Sequence, residues 1–189
     1  MLPDTAQCWL LSLAREAVAA HPSPLALPDS QRLDPALRTP VGAFVTWRRH
    51  GALRGCVGRV ISEEPLFRTI PAVAVLAAFE DPRFPPVDVA ELTELRAEIS
   101  VLSPMEAIAG ADAVQIGRDG LLISAGESSG LLLPQVAPEH RLDAAAFLAA
   151  ACRKAGLPDD AWQHDDVSIY RFSALVFHED GFHLPAGAP

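Results

Sequence analysis

Apolar residues recur every three or four positions in three stretches of the chain, as they do on one face of an α-helix. The first stretch is 5–20 and the second is 65–79, where Pro71 is expected to kink the helix. The third runs over 143–155 and is followed by Gly156, the residue type that commonly ends a helix. The pattern therefore predicts three helices.

Apolar runs between these helices predict β-strands. Strands at 41–47 and 52–60 are joined by Arg48-Arg49-His50-Gly51, a Gly-containing connection typical of a hairpin. The segment 96–103 alternates between apolar and polar residues, so Glu98 lies on its polar face. Further strands are expected at 114–117, 121–124, 131–136 and 168–177.

Chain length and proline content predict the domain organisation. The chain has 189 residues, half of them hydrophobic, which is enough for one sizeable core. Five prolines in 21–40 favour an extended arm over regular structure. We therefore predict one domain, 1–189, made of an N-terminal helix (1–20), a proline-rich arm (21–40), a first repeat (41–109), a second repeat (110–180) and a tail (181–189).

The two predicted repeats share a sequence pattern. Gly42-Ala43-Phe44-Val45, Gly51 and the run 53–57 align with Gly120-Leu121-Leu122-Ile123, Gly130 and the run 132–136, and in both halves a helix and an alternating strand follow. Cys56 and Gln135 each lie five positions after their glycine. An internal duplication therefore predicts that they occupy equivalent strand positions and face one shared cleft.

Charge and cysteine content exclude several classes of protein. The net charge is −9 and no basic stripe interrupts it, so nucleic acid is not expected as a partner. No apolar run approaches the roughly 18 residues of a membrane helix. Three cysteines without CxxC spacing indicate neither a disulfide framework nor a sulfur-ligated zinc site. We expect a soluble, cytoplasmic protein.

The stretch 52–60 carries the most promising chemistry, because Cys56 lies there between Gly55 and Gly58. Arg54 shares its strand face with Cys56, and a neighbouring cation favours the nucleophilic thiolate. The alternative is that Cys56 is a small buried hydrophobic residue and that the glycines mark a bulge.

Four other residues are candidates for the same site. Asp81 could cap the turn after the second helix and pair with Arg83, or Arg83 could bind a substrate anion. Glu98 is either an ordinary strand carboxylate or a general acid or base. Gln135, in an apolar run, either satisfies buried backbone groups or points into a pocket.

Motif searches give no cofactor or metal. GxSxG, Walker, GxGxxG, HExxH and EF-hand patterns are absent from the sequence, so we predict no cofactor. His164-Asp165-Asp166 and His178-Glu179-Asp180 with His183 lack a recognised metal spacing. We interpret both as solvated surface and predict no metal site.

Six blocks of sequence stand out in order along the chain. They are G-A-F-V-T-W with L-R-G-C-V-G, D-P-R-F at 81–84, E-I-S-V-L-S at 98–103, G-L-L-L-P-Q-V-A at 130–137, F-L at 147–148 and K-A-G-L at 154–157. Together they resemble the AMME chromosomal-region protein family, also called AmmeMemoRadiSam system protein A. The resemblance implies an α+β fold of two β-α repeats that form one barrel-like, mainly antiparallel sheet flanked by helices. It also implies an association with a Memo-like protein and a radical SAM enzyme.

Two functions remain open from the sequence. In the first, the protein is a binding or scaffolding component that works with these two partners. In the second, it is a small enzyme with Cys56 as nucleophile or redox thiol, Glu98 as general acid or base and Arg83 orienting an anion, in a cleft between the repeats. The nearest histidine in sequence, His50, lies in the hairpin turn and is poorly placed as a base. We therefore favour the binding component.

Overall fold

The structure is a computed structural model that describes residues 2–181, so the predicted tail lies almost wholly outside the described residues. The described chain combines helices with antiparallel sheets, which confirms the α+β class. Its helices are α1 (Asp4–Ala20), α2 (Leu66–Phe79), α3 (Val136–Glu139) and α4 (Ala144–Lys154). Its strands are β1 (Ala43–Arg49), β2 (Ala52–Arg59), β3 (Leu95–Leu102), β4 (Glu106–Ile108), β5 (Gly120–Ala125), β6 (Ser128–Leu132), β7 (Ser168–Phe172) and β8 (Ala174–His178).

The strands form two four-stranded sheets, in the orders β2-β1-β3-β8 and β4-β7-β5-β6. The expected single barrel-like sheet is therefore wrong. The predicted strand 168–177 is two strands divided at Ser173, and β7 and β8 belong to different sheets. Without a continuous hydrogen-bonded ladder the strands cannot close into one barrel.

The chain divides into two compact units. The first unit runs to Val101 and also includes the segment from Val176, and the second covers Leu102–Leu175. Each unit has its own buried apolar cluster. No helix in the described part of the chain is long and apolar enough to cross a bilayer.

In the first unit, α1 packs on α2, and α2 covers the β1–β2 hairpin. Trp47 is buried in this core, and its indole N–H donates to the carbonyl oxygen of Ala74 at 2.9 Å. At Gly55 the backbone of β2 comes so close to α2 that an added Cβ would overlap the carbonyl oxygen of Ala77. The glycine thus sets how closely the helix lies on the hairpin.

A partly buried ion pair joins α1 to the segment after β8. Arg15 Nε and Nη2 each donate to a Glu179 carboxylate oxygen at 2.6 Å. Glu179 is buried, so our interpretation of His178-Glu179-Asp180 as solvated surface is wrong for this residue. Because a buried carboxylate needs a cation, Arg15 explains why Glu179 can leave the surface.

In the second unit, α4 covers β5 and β6. Asp143 caps α4 by accepting the Ala146 N–H at 2.8 Å, and Gly156 follows the helix with φ 76°. Phe147 and Leu148 are fully buried. At Gly130 an added Cβ would overlap the last turn of α4, as at Gly55 under α2.

This shared packing corrects the predicted match between the halves. Gly55 pairs with Trp47, and Gly130 pairs with Ile123, so the two glycines occupy corresponding places in their hairpins. The residue after Gly130 is Leu131, which therefore corresponds to Cys56. The proposed correspondence of Cys56 with Gln135 is wrong by four positions.

The local predictions succeed where periodicity is strong. The first two helices, the hairpin, 96–103 and the helix at 143–155 are confirmed, with boundaries shifted by at most two residues. The arm 21–40 is extended apart from short 3-10 turns at Ser30–Arg32 and Pro35–Arg38. The kink at Pro71 stays a prediction.

Two strand predictions fail at turns. The segment 114–117 is not a strand, because Gln115 enters a turn in which its N–H binds the Asp119 carboxylate at 2.9 Å. The run 131–136 leaves the sheet after Leu132, since Pro134 has no N–H and the Val136 N–H closes a turn on the Leu133 carbonyl oxygen. The short elements β4 and α3 were not predicted.

Candidate functional site

Cys56 lies in a row of polar residues that crosses three strands. It is directly opposite Thr46 on β1, and Thr46 is directly opposite Glu98 on β3. Directly opposed residues point to the same face of a sheet. Arg48, two positions after Thr46, shares that face and binds Glu98. We call these four residues the polar row.

The sulfur of Cys56 has a hydrogen-bond donor. The Thr46 hydroxyl donates to Cys56 Sγ at 3.1 Å. Thr46 is buried and Cys56 is half-buried, so this bond is largely shielded from water. A hydroxyl donor interacts more strongly with a thiolate than with a neutral thiol.

Glu98 forms an ion pair within the polar row. Its Oε2 accepts from Arg48 Nε at 3.1 Å, and both side chains are partly exposed. Glu98 and Arg48 together present one carboxylate and one guanidinium on the sheet face.

The main chain of Cys56 is fixed by an ion pair at the outer edge of β2. The Cys56 N–H donates to Asp81 Oδ2 at 2.9 Å, and Arg83 Nη2 donates to the Cys56 carbonyl oxygen at 3.2 Å. Arg83 also binds both Asp81 oxygens, at 2.9 and 2.6 Å. We call Asp81 and Arg83 the edge clamp. It satisfies peptide groups that an edge strand would otherwise expose.

Asp81 stays ionised inside the clamp. The Arg83 guanidinium beside it holds the pKa of this carboxyl well below its usual range, although burial opposes the shift. The main-chain N–H of Arg83 also donates to Asp81 Oδ1, at 3.1 Å. Each Asp81 oxygen therefore accepts two hydrogen bonds. Asp81 therefore suits a positioning role rather than proton transfer.

Arg83 keeps some capacity for a ligand. Its side chain is 55% exposed, and its guanidinium lies over the Phe84 ring at 5.5 Å from the centroid. Nη1 makes no hydrogen bond to any residue between 2 and 181. Both interpretations of Arg83, as partner of Asp81 and as anion ligand, are compatible with this geometry.

Arg54 is bound away from the thiol. Its guanidinium donates to both Glu91 carboxylate oxygens and to the carbonyl oxygens of Pro85 and Pro86. Arg54 in turn lowers the pKa of Glu91 to about 2. The cation in contact with Cys56 is therefore Arg83, which binds its main-chain carbonyl oxygen. Arg54 instead anchors the segment that leads to β3.

Gln135 is exposed and immediately precedes α3 in the second unit. The other five candidates belong to the first unit. The residues of the second sheet that correspond to Cys56, Thr46 and Glu98 are Leu131, Leu122 and Tyr170. The shared cleft stays a prediction, but its basis in equivalent strand positions is lost.

Sequence inspection missed Thr46 and Arg48. A signal was present for Thr46, which lies between the apolar residues Val45 and Trp47 in the predicted strand 41–47, whereas Arg48 falls in the predicted hairpin connection. The position of Thr46 opposite Cys56 depends on a register shift between Trp47 and Arg48, and no local pattern in the sequence predicts that shift. Among the described residues, no three His, Cys, Asp or Glu side chains are grouped as metal ligands.

Comparisons with known proteins point to one family. The AMMECR1 family model matches residues 11–177. The chain is 43% identical to Protein TK0174 of Thermococcus kodakarensis, with 91% of this chain and 89% of that protein covered. It is 42% identical to a protein of Methanothermobacter thermautotrophicus, with 91% and 93% covered. The crystal structure of uncharacterized protein PH0010 from Pyrococcus horikoshii matches with a TM-score of 0.85 at 38% identity, covering 95% of this chain and 94% of that one.

Proposed function

Since this chain belongs to the AMMECR1 family, as its sequence blocks indicated, we propose that it is a binding component whose recognition surface is the polar row. The observation that carries the proposal is the fixed position of Cys56. Its N–H and carbonyl oxygen are held by the edge clamp and its sulfur by Thr46. A surface held in this way loses little conformational entropy when it binds.

The polar row offers complementary groups to a partner. Glu98 can accept hydrogen bonds through Oε1, which has no partner within residues 2–181, and the Arg48 guanidinium can donate. The resemblance to AmmeMemoRadiSam system protein A implies a Memo-like protein and a radical SAM enzyme as partners. We propose that one of these two proteins, or the substrate that they modify, contacts the polar row. The three free cysteines favour a reducing, cytoplasmic setting.

The chemistry around the thiol favours binding over catalysis. The contacts of Cys56 described above include no histidine. His50 instead lies 3.2 Å from Glu94. A nucleophilic cysteine ordinarily needs an adjacent base or another group that activates the thiolate.

Alkylation of Cys56 tests the proposal. We expect iodoacetamide to modify Cys56 at neutral pH more slowly than it modifies free cysteine, because the sulfur is half-buried. The rate is measured by mass spectrometry in a Cys8→Ala, Cys152→Ala background. Modification much faster than that of free cysteine would contradict the proposal and favour an enzyme.

The alternative is a small enzyme in which Cys56 is the nucleophile or redox thiol. The Thr46 hydroxyl bond favours it, because that donor supports a thiolate. The matched change is Thr46→Val, which removes the donor and preserves the shape. Under the enzyme alternative the valine variant alkylates more slowly than the background protein, whereas under the binding proposal the small remaining rate does not fall further.

Partner binding gives an independent prediction. We expect Glu98→Gln to weaken binding of the Memo-like or radical SAM partner by roughly tenfold, the order of one charge-assisted hydrogen bond. The measurement is calorimetric titration with each purified partner. The control is Glu64→Gln, which removes a carboxylate near Arg68 on the exposed surface of the same unit. Equal effects of the two variants would exclude the polar row as the contact.

A further inference from the structure

A polar cavity of about 230 Å³ lies within the second unit. Its lining includes Ser103 before β4, Glu106 in β4, Arg118 before β5 and Arg171 in β7. The volume is far above the roughly 10–15 Å³ that one water molecule requires, so a small organic molecule has room to enter. We call it the Arg118 pocket. It shares no residue with the polar row or the edge clamp.

Two ion pairs line the pocket. Arg118 binds both oxygens of Asp119, at 2.6 and 3.0 Å. Arg171 binds Glu106 Oε2 through Nε and Nη2, at 3.0 and 2.8 Å. Asp119 is buried, and its hydrogen bonds to Arg118 and to the Gln115 N–H hold its pKa below the usual range against the opposing effect of burial. The pocket therefore carries both signs of charge and no net charge.

Each pair leaves one charged atom for a ligand. Glu106 Oε1 and Arg118 Nη1 have no hydrogen-bond partner among residues 2–181. Arg171 is more fully engaged, since its Nη1 also donates to the Ala113 carbonyl oxygen at 2.9 Å. The side chains of Glu106 and Arg118 are 64% and 49% exposed, so an entering molecule can reach both.

We infer that the Arg118 pocket binds a small zwitterion with a carboxylate and a primary ammonium group, the chemistry of a free amino acid. The ligand carboxylate accepts from Arg118 Nη1, and the ammonium donates to Glu106 Oε1. A simple anion would leave Glu106 Oε1 without a hydrogen bond, and a simple cation would leave Arg118 Nη1 without one. A ligand with both charges satisfies the two groups at once, which is the basis of selectivity here.

Calorimetric titration of the full chain with L-alanine tests this inference. We expect L-alanine to bind, and N-acetyl-L-alanine and L-alanine methyl ester to bind at least about tenfold more weakly, because each lacks one charge. Absence of L-alanine binding overturns the inference. So does equally strong binding of either analogue, because recognition would then need only one charge.

Substitution at the pocket makes the test specific. Glu106→Gln removes the carboxylate from an exposed side chain and retains an oxygen for Arg171, so it should weaken L-alanine binding about tenfold with little change in the melting temperature. Glu127→Gln, in the exposed β5–β6 turn of the same unit, is the matched control and should bind as the wild type does. Arg118→Lys is the second variant, and it should weaken binding through the carboxylate. Equal affinities of wild type, Glu106→Gln and Arg118→Lys would place the ligand elsewhere and overturn the assignment.

Discussion

Replacing Gly55 by alanine should lower the free energy of unfolding by about 3 kcal/mol. The added methyl group would overlap the carbonyl oxygen of Ala77, which belongs to the backbone of α2 and cannot rotate away as a side chain can. Either α2 or the hairpin must then move, and each contributes to the same apolar core around Trp47. Equilibrium urea denaturation measures the loss.

The control for this change is Gly110→Ala. At Gly110 the nearest atom to an added Cβ is a Trp162 ring carbon at 3.7 Å, an ordinary contact, and the backbone is extended with φ 163°. Its effect should stay within about 0.5 kcal/mol. If the two alanine variants lose similar amounts of unfolding free energy, the close approach of Gly55 to α2 is not the reason that glycine is required there.

Removing the charge of the edge clamp should have a comparable effect. We expect Asp81→Asn to cost about 3 kcal/mol, because it leaves Arg83 without its carboxylate and offers one oxygen where two now accept hydrogen bonds. The amide NH₂ of asparagine would also face a donor, either the Cys56 N–H or the Arg83 guanidinium. Urea denaturation at neutral pH measures this loss.

The same variant gives a pH signature. The folded protein holds the pKa of Asp81 below its ordinary value, whereas the unfolded chain restores that value, about 3.9. The stabilisation is therefore fully present above the unfolded pKa and is lost as the pH falls through the folded pKa. The difference in unfolding free energy between wild type and Asp81→Asn should be constant from about pH 8 to pH 5 and should shrink below about pH 4.

An exposed carboxylate supplies the comparison. Asp159 pairs with Arg153 at 2.5 Å, but both side chains are more than half exposed, so Asp159→Asn should cost less than about 1 kcal/mol. If Asp81→Asn proves as mild as this control, or if its effect persists unchanged at low pH, the edge clamp does not stabilise β2 in the way we describe.

The sequence predicts what depends on neighbours along the chain. The helices α1, α2 and α4 were visible because their apolar residues recur at helical spacing, and Gly156 marked the end of α4. The α+β class followed from these helices, the alternating strands and the family resemblance. Candidate residues Cys56, Asp81 and Arg83 were also found from sequence, and the structure brings these three into direct contact.

Long-range pairing accounts for most of what was missed. Arg54 appeared to be the cation for Cys56 because it is two positions away, yet it binds Glu91, 37 residues further along. Gln135 appeared to match Cys56 because spacing was counted from Gly51, whereas the packing of Gly55 under α2 sets the true correspondence with Gly130. In both cases tertiary contacts decided the outcome, and no local pattern reports them.

The place of β8, the most C-terminal strand among residues 2–181, affects how the first unit can fold during synthesis. The N-terminal sheet takes β8 as its fourth strand, beside β3, and α1 takes Glu179 as the partner of Arg15. A nascent chain that has emerged only as far as β7 contains β1, β2 and β3 but lacks β8, so the edge of β3 is unpaired. In that chain Arg15 also lacks its partner Glu179. Most of the first unit is translated before the second, but its sheet can be completed only after β8 has left the ribosome.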